Sequence, residues 1–350
     1  MKILLGLSGG VDSTYAALKL KNEGHDVEGA VVLMHSYTDI SGAERSSAEL
    51  GIKLHVIDAT EAFEQKVCQG FVSEYVKGRT PNPCVVCNRE VKIRYLYDYA
   101  VKNGFDKIAT GHYAEVRKLE GRSGVRYCVA AARDAKKDQS YMLSRLGQDL
   151  LSRLILPMSE EIKSDIYAIA KERGLSSAGK AESQEICFIT SGSYTDYIEE
   201  RAGKSVPGDF LDSSGRVLGR HKGIIHYTVG QRKGLEIALG QRMFVNRINA
   251  EDNTVILDSA PALSNRVEIE DIIFSGIEPP IEDMRLTLTV KLRYLARPVS
   301  CEAFVRPDRT AGVLLHEPVG SVTPGQTAVF YSSEGVAFSG FIADSSFENQ

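Results

Sequence analysis

The chain has no tryptophan and only six cysteines among its 350 residues. Six cysteines are too few for a disulfide scaffold, so each thiol is expected to stay reduced, bind a metal or act in catalysis. The chain also lacks any run of about 18 consecutive apolar residues, which argues against a transmembrane helix. Its start has one lysine and a short apolar run without a small-residue cleavage site. We therefore expect a soluble, cytoplasmic protein with no membrane partner.

A net basic charge is absent as well, because 46 acidic residues outnumber 42 basic ones and give a formal net charge of −4. The whole chain therefore gives no general reason to expect nucleic acid. The charge is uneven, however, since residues 203–250 carry eight basic and three acidic side chains, whereas residues 268–350 carry six and twelve. The basic segment is either a solvated surface or a face that contacts phosphates.

The length predicts two or three domains, since a domain usually has about 150 residues. Apolar strands alternate with helical patterns at first, which predicts a doubly wound, Rossmann-like parallel α/β sheet over residues 1–200. Turn pairs and short apolar runs then predict a β-rich central domain over 201–264 and an antiparallel β-barrel over 265–350. Within the first domain we expect strands at 2–7, 27–34, 53–58 and 107–111, and helices at 12–22, 61–76, 89–102, 139–154 and 159–173.

A glycine-rich turn, SGGVDS at residues 8–13, directly follows the first predicted strand and opens the first predicted helix. Its glycines let backbone N–H groups point into one concavity, and the helix N-terminus adds partial positive charge. The turn has neither the lysine of a Walker loop nor the three spaced glycines of the dinucleotide fingerprint. It predicts a phosphate site, with a plain glycine turn as the alternative.

Two cysteines lie in the stiff segment TPNPCVVCN at residues 80–88. Its two prolines exclude a helix before Arg89, so Cys84 and Cys87 are expected on a loop ahead of a helix N-terminus. The helix end and the neighbouring Arg79, Arg89 and Lys92 are expected to favour the thiolate form of both cysteines.

The other cysteines lie in apolar patterns. Cys187 is part of SQEICFI at residues 183–189, where it is either a reactive group or an ordinary buried thiol. The remaining cysteines lie in helix or strand patterns without a polar motif and are expected in the core, namely Cys68, Cys128 and Cys301.

These motifs, in this order, resemble the tRNA-specific 2-thiouridylase family nearly end to end. The turn at 8–13 resembles the PP-loop of ATP pyrophosphatases, and the other matching segments are GRTPNP with CN at 78–88, ATGHY at 109–113, KDQSYML at 137–143, SQEICFI at 183–189 and YTVGQRKGL at 227–235. The resemblance implies ATP- and Mg²⁺-dependent replacement of the C2 oxygen of the wobble uridine in tRNA by sulfur. It implies adenylation of the C2 carbonyl, and a sulfur donor that is a cysteine desulfurase, a sulfur carrier protein or hydrosulfide.

The resemblance also implies residue roles. Cys187 would carry a persulfide and Cys87 would be the partner thiol that forms a disulfide with it. ATP would be bound by Gly6, Leu7, Ser8, Gly9, Gly10, Val11, Asp12, Ser13, Met34 and Gly111. The target base would flip out of its stack and lie beside Asn82, Pro83 and Cys84. The tRNA would also be contacted by His112, Lys137, Asp138, Gln139, Arg293, Tyr294 and Gln326.

One departure from the family pattern changes the chemistry available. The family most often has an aspartate, usually assigned an acid or base role, where this chain has Cys84. Cys84, Cys87 and Cys187 would then place three thiols around one site. Three interpretations stay open: a 4Fe–4S cluster on these cysteines with one iron free for hydrosulfide, a persulfide route with a spare thiol, and a structural zinc site.

A second departure follows Met34, where HSYTDISGAERSSAELGI at 35–52 replaces a longer insertion and leaves the adenine pocket less defined. Two other functions also stay open. One is a different PP-loop ATP pyrophosphatase, such as an amidotransferase-type ligase, which would need a glutaminase that the sequence does not show. The other is a nucleotide-dependent RNA-binding protein that has lost catalysis.

Overall fold

The computed structural model describes residues 1–179, 186–237 and 240–343. Its first unit is built on a five-stranded sheet in which every neighbouring pair is parallel. The strands are β1 Lys2–Gly6, β2 Asp26–Leu33, β3 Leu54–Asp58, β4 Lys107–Thr110 and β7 Leu154–Ile155, in the order β3-β2-β1-β4-β7. This order confirms the doubly wound α/β sheet that the sequence predicts.

The helices of this unit are α1 Val11–Asn22, α2 Ser41–Leu50, α3 Thr60–Phe63, α4 Gln69–Val76, α5 Pro83–Cys87, α6 Ile93–Lys102, α7 Gln148–Leu151, α8 Lys163–Glu172 and α9 Tyr194–Ala202. The helices expected from the sequence are found within a few residues of their expected positions, with two exceptions, and two further helices, α2 and α9, were not expected. The π-helical turns Glu64–Cys68 and Asn88–Lys92 join α3 to α4 and α5 to α6. Within the described residues no helix has both the length and the apolar character needed to cross a membrane.

The first exception is the start of the cysteine helix, which begins at Pro83 and not at Arg89. Proline is well suited to the first position of a helix, where its missing N–H has no partner to lose. Asn82 caps this helix, because its side-chain oxygen accepts a hydrogen bond from the Cys84 N–H at 3.2 Å. Cys84 and Cys87 therefore lie in the helix and not on a loop before it.

The second exception is the helix expected over 139–154, which is wrong. That segment contains a 3₁₀ turn at Ser140–Leu143, the short α7 and then β7. Gly147 interrupts the helical pattern and is the N-cap of α7. The Tyr141 hydroxyl donates to the backbone carbonyl of Thr327 at 2.7 Å. Docking on a distant part of the chain thus overrides the helical periodicity.

The β-rich texture predicted after residue 200 is confirmed. Four strands, β8 Gly208–Leu211, β9 Val217–His221, β10 Phe244–Asn249 and β11 Thr254–Asp258, form a sheet in the order β10-β11-β8-β9. Phe210, Val245, Val255 and Leu257 are fully buried between this sheet and the segment that precedes β10.

The last unit is a closed barrel, as the sequence predicts. Its strands are β12 Leu263–Phe274, β13 Met284–Lys291, β14 Val299–Val305, β15 Ala311–Gly320, β16 Thr327–Ser332 and β17 Gly335–Ile342. They close in the order β12-β15-β14-β13-β16-β17, with β17 antiparallel to β12. Alternate side chains fill the interior, among them Cys301, and Cys68 and Cys128 are equally buried in their own units.

A hairpin fastens the barrel to the first unit. Its strands are β5 Ala114–Gly121 and β6 Gly124–Ala131. The guanidinium group of Arg126 donates to the backbone carbonyls of Ser275 and Phe274 at 3.2 Å each. Val129 of the hairpin shares a core with Val329 and Val336 of the barrel. This packing fixes the barrel next to the sheet edge described below.

Candidate active site

The glycine turn lies between β1 and α1 and is ordered by its own hydroxyls. The side-chain oxygen of Ser13 accepts from the Ser8 N–H at 3.2 Å and donates to the Gly10 carbonyl at 3.1 Å. Gly10 is the N-cap of α1 and has no side chain to bond to the first helical N–H groups. These N–H groups and the helix dipole make the turn suitable for a phosphate.

Two glycines of this region are required by space. Gly9 has φ 70°, and a Cβ there would lie 2.1 Å from the backbone carbon of Gly42. A Cβ on Gly111, which follows β4, would lie 2.8 Å from the backbone nitrogen of Ser13. The turn is therefore pressed between the start of α2 and the end of β4, at the point where the strand order reverses.

Asp12 in this turn has two partners that the sequence motifs do not indicate. The ammonium group of Lys163 lies 2.6 Å from both carboxylate oxygens of Asp12, and the Tyr113 hydroxyl donates to one of them at 2.9 Å. Lys163 stands 151 positions along the chain, at the first residue of α8. A lysine in the first turn of a helix opposes the helix dipole, and this is the sequence signal that could have indicated a special role.

The cysteines lie at the same edge of the sheet as the glycine turn. The Cys87 Sγ is 3.5 Å from the Sδ of Met34, which follows the carboxyl end of β2, next to β1. Negative charge on Cys187 or Cys84 raises the pKa of Cys87, so the three sulfurs are within electrostatic reach of one another. Cys87 is buried, whereas Cys84 and Cys187 have exposed surface.

The expectation that Cys84 and Cys87 are thiolates is wrong. Burial raises the pKa of Cys87 to about 11, and it also raises the pKa of Cys84 and of Cys187, whose sulfurs lie in crowded surroundings despite their exposed surface. Only the Lys92 cation lowers the pKa of all three.

The two arginines expected to help are occupied elsewhere. Arg79 Nε lies 2.8 Å from a carboxylate oxygen of Glu74, and Arg89 Nε lies 3.1 Å from Glu90. Burial without enough compensating charge therefore keeps the thiols protonated at neutral pH.

An iron–sulfur cluster would require the sulfurs of Cys84, Cys87 and Cys187 to be arranged around it. Among the residues that the structure describes, no three or more histidine, cysteine, aspartate or glutamate side chains are arranged to hold a metal ion. Cys84, Cys87 and Cys187 have the donor chemistry of an iron–sulfur or zinc site, but as placed here they do not fit one.

Comparison with known proteins gives a family-model match for each of the three units of the chain. Residues 1–191 match the family model described as tRNA methyl transferase HUP domain, 195–259 match the tRNA methyl transferase PRC-barrel domain, and 264–342 match the Aminomethyltransferase beta-barrel domain. The tRNA-specific 2-thiouridylase MnmA of Acetivibrio thermocellus is 40% identical over 358 residues, which cover 97% of this chain and 99% of that protein. The protein of the same name from Desulforudis audaxviator is 41% identical over 344 residues, with 97% and 98% covered.

This chain belongs to the tRNA-specific 2-thiouridylase family. The resemblance drawn from the sequence motifs is thereby confirmed. Among solved structures, a 4-thiouridine synthetase bound to RNA and ATP aligns over 53% of this chain and 44% of that chain, with 20% identity and a TM-score of 0.36.

In this chain the residues expected to contact tRNA fall into two groups. One group surrounds the glycine turn and the cysteine helix. The His112 Nδ1 lies 2.8 Å from the Thr110 hydroxyl, and burial, with a smaller effect of Lys92, lowers the pKa of His112 to about 3. Its ring is therefore neutral and acts as a hydrogen-bonding group and not as a cation.

The KDQ residues belong to the same group. The Gln139 side chain accepts from the Tyr113 N–H at 2.9 Å, and the Asp138 carboxylate accepts from the Ser140 N–H at 3.0 Å. Lys137 lies just ahead of them on the same half-buried turn.

The second group joins the three units. The Arg293 guanidinium donates to the Ser321 carbonyl at 2.6 Å and to the Val229 carbonyl at 3.3 Å. Tyr294 donates to the Asp138 carbonyl at 3.5 Å. These side chains build the junction between the sheet, the central unit and the barrel, and contact with tRNA remains a prediction for both groups. The Ser183, Gln184 and Glu185 part of the SQEICFI motif lies outside the described residues.

Proposed function

We propose that this protein is an ATP-dependent tRNA-uridine 2-sulfurtransferase that replaces the C2 oxygen of the wobble uridine by sulfur and releases AMP and pyrophosphate. One observation carries the proposal. A phosphate-type glycine turn and the thiols Cys87 and Cys187 lie at one edge of the sheet, in a chain about 40% identical to 2-thiouridylases. One feature suits activation of the carbonyl and the other suits delivery of sulfur.

Activation comes first because a carbonyl oxygen of uracil is a poor leaving group. The C2 oxygen attacks the α-phosphorus of ATP, the bond from the α-phosphorus to the bridging oxygen breaks, and pyrophosphate leaves. The N–H groups at the start of α1 would hold the phosphates, and Lys163 would supply the cation that the glycine turn lacks.

Asp12 fits Mg²⁺ by its chemistry, because the ion is usually held by one or two carboxylates together with substrate phosphates. Asp12 stands at the mouth of the turn, where its carboxylate is already oriented by Lys163 and Tyr113. When bound, the ion would neutralise charge on the phosphates.

Sulfur then arrives as a nucleophile. The outer sulfur of a persulfide on Cys187 attacks C2, and AMP leaves with the former C2 oxygen. Cys87 attacks the Sγ of Cys187, the bond between the two persulfide sulfurs breaks, and its electron pair stays on the sulfur that becomes the C2 thiocarbonyl. The two cysteines end as a disulfide. With a cysteine desulfurase or a persulfide-bearing sulfur carrier protein as donor, a thiol reductant first reduces this disulfide, and the donor then transfers its sulfane sulfur to Cys187. With hydrosulfide as donor no reductant is needed, because hydrosulfide attacks the Sγ of Cys187 in the disulfide, Cys87 leaves as a thiolate and the persulfide forms again.

The persulfide route is proposed over a 4Fe–4S cluster because the three thiols do not form a metal-holding group in the described residues. Cys187 is exposed, as loading by a donor requires, and Cys87 lies within electrostatic reach of it. Iron and acid-labile sulfide should therefore be absent from active protein purified without oxygen. Stoichiometric iron and sulfide, lost together with activity in Cys84→Ala, would replace this route by the cluster.

The tRNA would bind across the central unit. Four of its basic side chains are exposed and form no ion pair within the described residues, namely Arg232, Lys233, Arg242 and Arg247. The other basic side chains of this segment are paired, as in Arg220 with Asp209 at 3.3 Å. We keep the division into domains 1–200, 201–264 and 265–350 and a cytoplasmic location as parts of the proposal, since thiol chemistry needs a reducing compartment.

Analysis of tRNA from a strain without this protein tests the function. Mass spectrometry of the digested tRNA should show loss of 2-thiouridine derivatives, and the purified protein with ATP, Mg²⁺, tRNA and a sulfide source should restore them with release of pyrophosphate. Loss of a methylated nucleoside, an amidated product made from ammonia, or tRNA binding without pyrophosphate release would each contradict the proposal.

A further inference from the structure

The short loop after β2 contacts both cysteine segments. At its start, the Met34 sulfur accepts the thiol of Cys87 at 3.5 Å. Three residues later, the Tyr37 hydroxyl donates to the backbone carbonyl of Phe188 at 3.3 Å. One loop thus reaches Cys87 itself and the residue next to Cys187. It is the same segment in which this chain departs from the longer family insertion.

The ring of Phe188 packs against three other aromatic rings. It meets Phe63, Phe71 and Tyr197 with centroid distances of 5.8, 5.3 and 5.1 Å and interplanar angles of 71°, 81° and 50°. Edge-to-face packing of this kind fixes a ring more firmly than burial alone. Phe188 is 5% exposed while the adjacent Cys187 is exposed, so the backbone is anchored immediately after a reactive side chain.

The turn that carries Tyr37 is itself ordered. The His35 ring stacks on the Tyr37 ring at 3.9 Å with an angle of 13°. Thr38 donates to the His35 carbonyl at 2.8 Å and lies 3.0 Å from its Nδ1. Since 54% of Tyr37 is exposed, its ring adds little to the core, and its hydroxyl is the part that bonds to the Cys187 segment.

We propose that Tyr37 and Phe188 are positioning residues that hold Cys187 within reach of Cys87. The proposal rests on the sulfur transfer proposed above, in which the two thiols must join. A disulfide needs Cα atoms about 4.4–6.8 Å apart, and an exposed cysteine without an anchored neighbour would meet that condition only part of the time.

The test measures the joining of the two thiols without tRNA or ATP. Protein with Cys84→Ala as background is treated with diamide, which is reduced to its hydrazine as Cys87 and Cys187 lose two protons and two electrons. Free thiols are then alkylated, and the rate of Cys87–Cys187 disulfide formation is read by peptide mass spectrometry. Phe188→Ala should slow it by about tenfold and Tyr37→Phe by a smaller factor, with Phe188→Leu between them.

A matched control removes a phenyl ring from the barrel interior. Phe330→Leu in the barrel core should lower stability but leave the disulfide rate unchanged, since Phe330 is fully buried beside Phe338. The buried Cys128 and Cys301 report on unfolding, because their alkylation rises only in a variant that opens. Equal rates in the parent, Tyr37→Phe and Phe188→Leu, or no disulfide in the parent, would overturn the proposal.

The same variants separate this proposal from the function. If positioning is the role, kcat for thiolation falls in Phe188→Leu and Tyr37→Phe, while the KM for tRNA and the single-turnover rate of pyrophosphate release stay at parent values. A slower disulfide rate in a protein that thiolates no tRNA would keep the positioning role and reject the function.

Discussion

The side-chain amide of Gln326 donates a 2.7 Å hydrogen bond to the backbone carbonyl of Thr80. The Thr80 N–H donates to the Pro324 carbonyl at 2.9 Å, and its hydroxyl lies 3.3 Å from that of Thr228. The barrel and the central unit therefore both bond to Thr80, which lies four positions before Cys84. The intervening prolines stiffen the chain, so the position of these two units is passed on to the cysteine helix.

Gln326→Ala should loosen this junction. Loss of a partly buried hydrogen bond is expected to lower the free energy of unfolding by about 1 kcal/mol. The loss also frees the segment before Cys84, so kcat for thiolation should fall. Denaturant titration and a thiolation assay check both. Gln65→Ala is the control, because Gln65 lies on an exposed helix face and bonds to Glu61 of the same helical segment. Equal effects of the two variants would contradict the role of the junction.

Lys163→Met should abolish most pyrophosphate release. Removing the ammonium leaves the Asp12 carboxylate without its 2.6 Å partner and removes a cation from the phosphate turn. We expect a loss of about 100-fold in pyrophosphate release, with partial rescue in Lys163→Arg. Lys19→Met is the control, since Lys19 also bridges α1 to the segment before α8 through Glu161 at 2.6 Å but lies outside the turn. A Lys19 effect as large as that of Lys163 would refute the assignment.

Alkylation of the site thiols should rise with pH. Burial raises the pKa of Cys87 to about 11, so its thiolate fraction should grow about tenfold per pH unit from pH 7 to 9 without reaching a plateau. For the same reason Cys87 stabilises the fold below its unfolded pKa of about 8.5, and this contribution is lost as the pH rises toward the folded value. A plateau near pH 7 would show a thiolate and contradict the structure.

The cation of Lys92 should keep these pKa values from rising further. It lowers the pKa of Cys84, Cys87 and Cys187, so Lys92→Met should slow their alkylation at pH 8. Lys66→Met is the control, because Lys66 pairs with Glu90 at 3.3 Å on the surface. Unchanged or faster alkylation in Lys92→Met would be the opposite of the expected result.

Binding of tRNA should weaken steeply with salt through the exposed basic side chains of the central unit. Replacing Arg232, Lys233, Arg242 and Arg247 by glutamine should reduce both the affinity and the slope of log affinity against log salt, by about 0.7–0.9 for each phosphate that the protein no longer neutralises. Fluorescence anisotropy at several salt concentrations measures the slope. Arg285→Gln in the barrel, where Arg285 pairs with Glu302 at 2.6 Å, should leave it unchanged. A slope equal to that of the parent in the fourfold variant would remove this face from the tRNA site.

Local patterns in the sequence predicted the units of the fold. The buried strands read as apolar runs, and the glycine turn after β1 has the steric reason that Gly9 shows, a Cβ 2.1 Å from Gly42. Where the prediction was wrong, the deciding contacts were long-range or positional. Tyr141 bonds to Thr327, 186 positions away, and Pro83 is the first residue of a helix and not its barrier.

The same distinction applies to the site. Motifs indicated the three cysteines, but not their protonation, because ion pairs such as Arg89 with Glu90 decide which cations remain for the thiols. Lys163 was missed because only the folded chain brings it to Asp12. Charge and burial at a site depend on tertiary contacts, which residue order does not reveal.

Oxygen transfer from uridine to AMP tests the central claim most directly. A tRNA carrying ¹⁸O at C2 of the target uridine is incubated with the protein, ATP, Mg²⁺ and a sulfide source. The isotopic mass of the AMP is then measured by mass spectrometry. Adenylation of the carbonyl followed by attack of sulfur predicts AMP that holds the heavy oxygen, in equal amount to the 2-thiouridine formed. Unlabelled AMP beside thiolated tRNA would show that the C2 oxygen leaves by another route and would contradict the account.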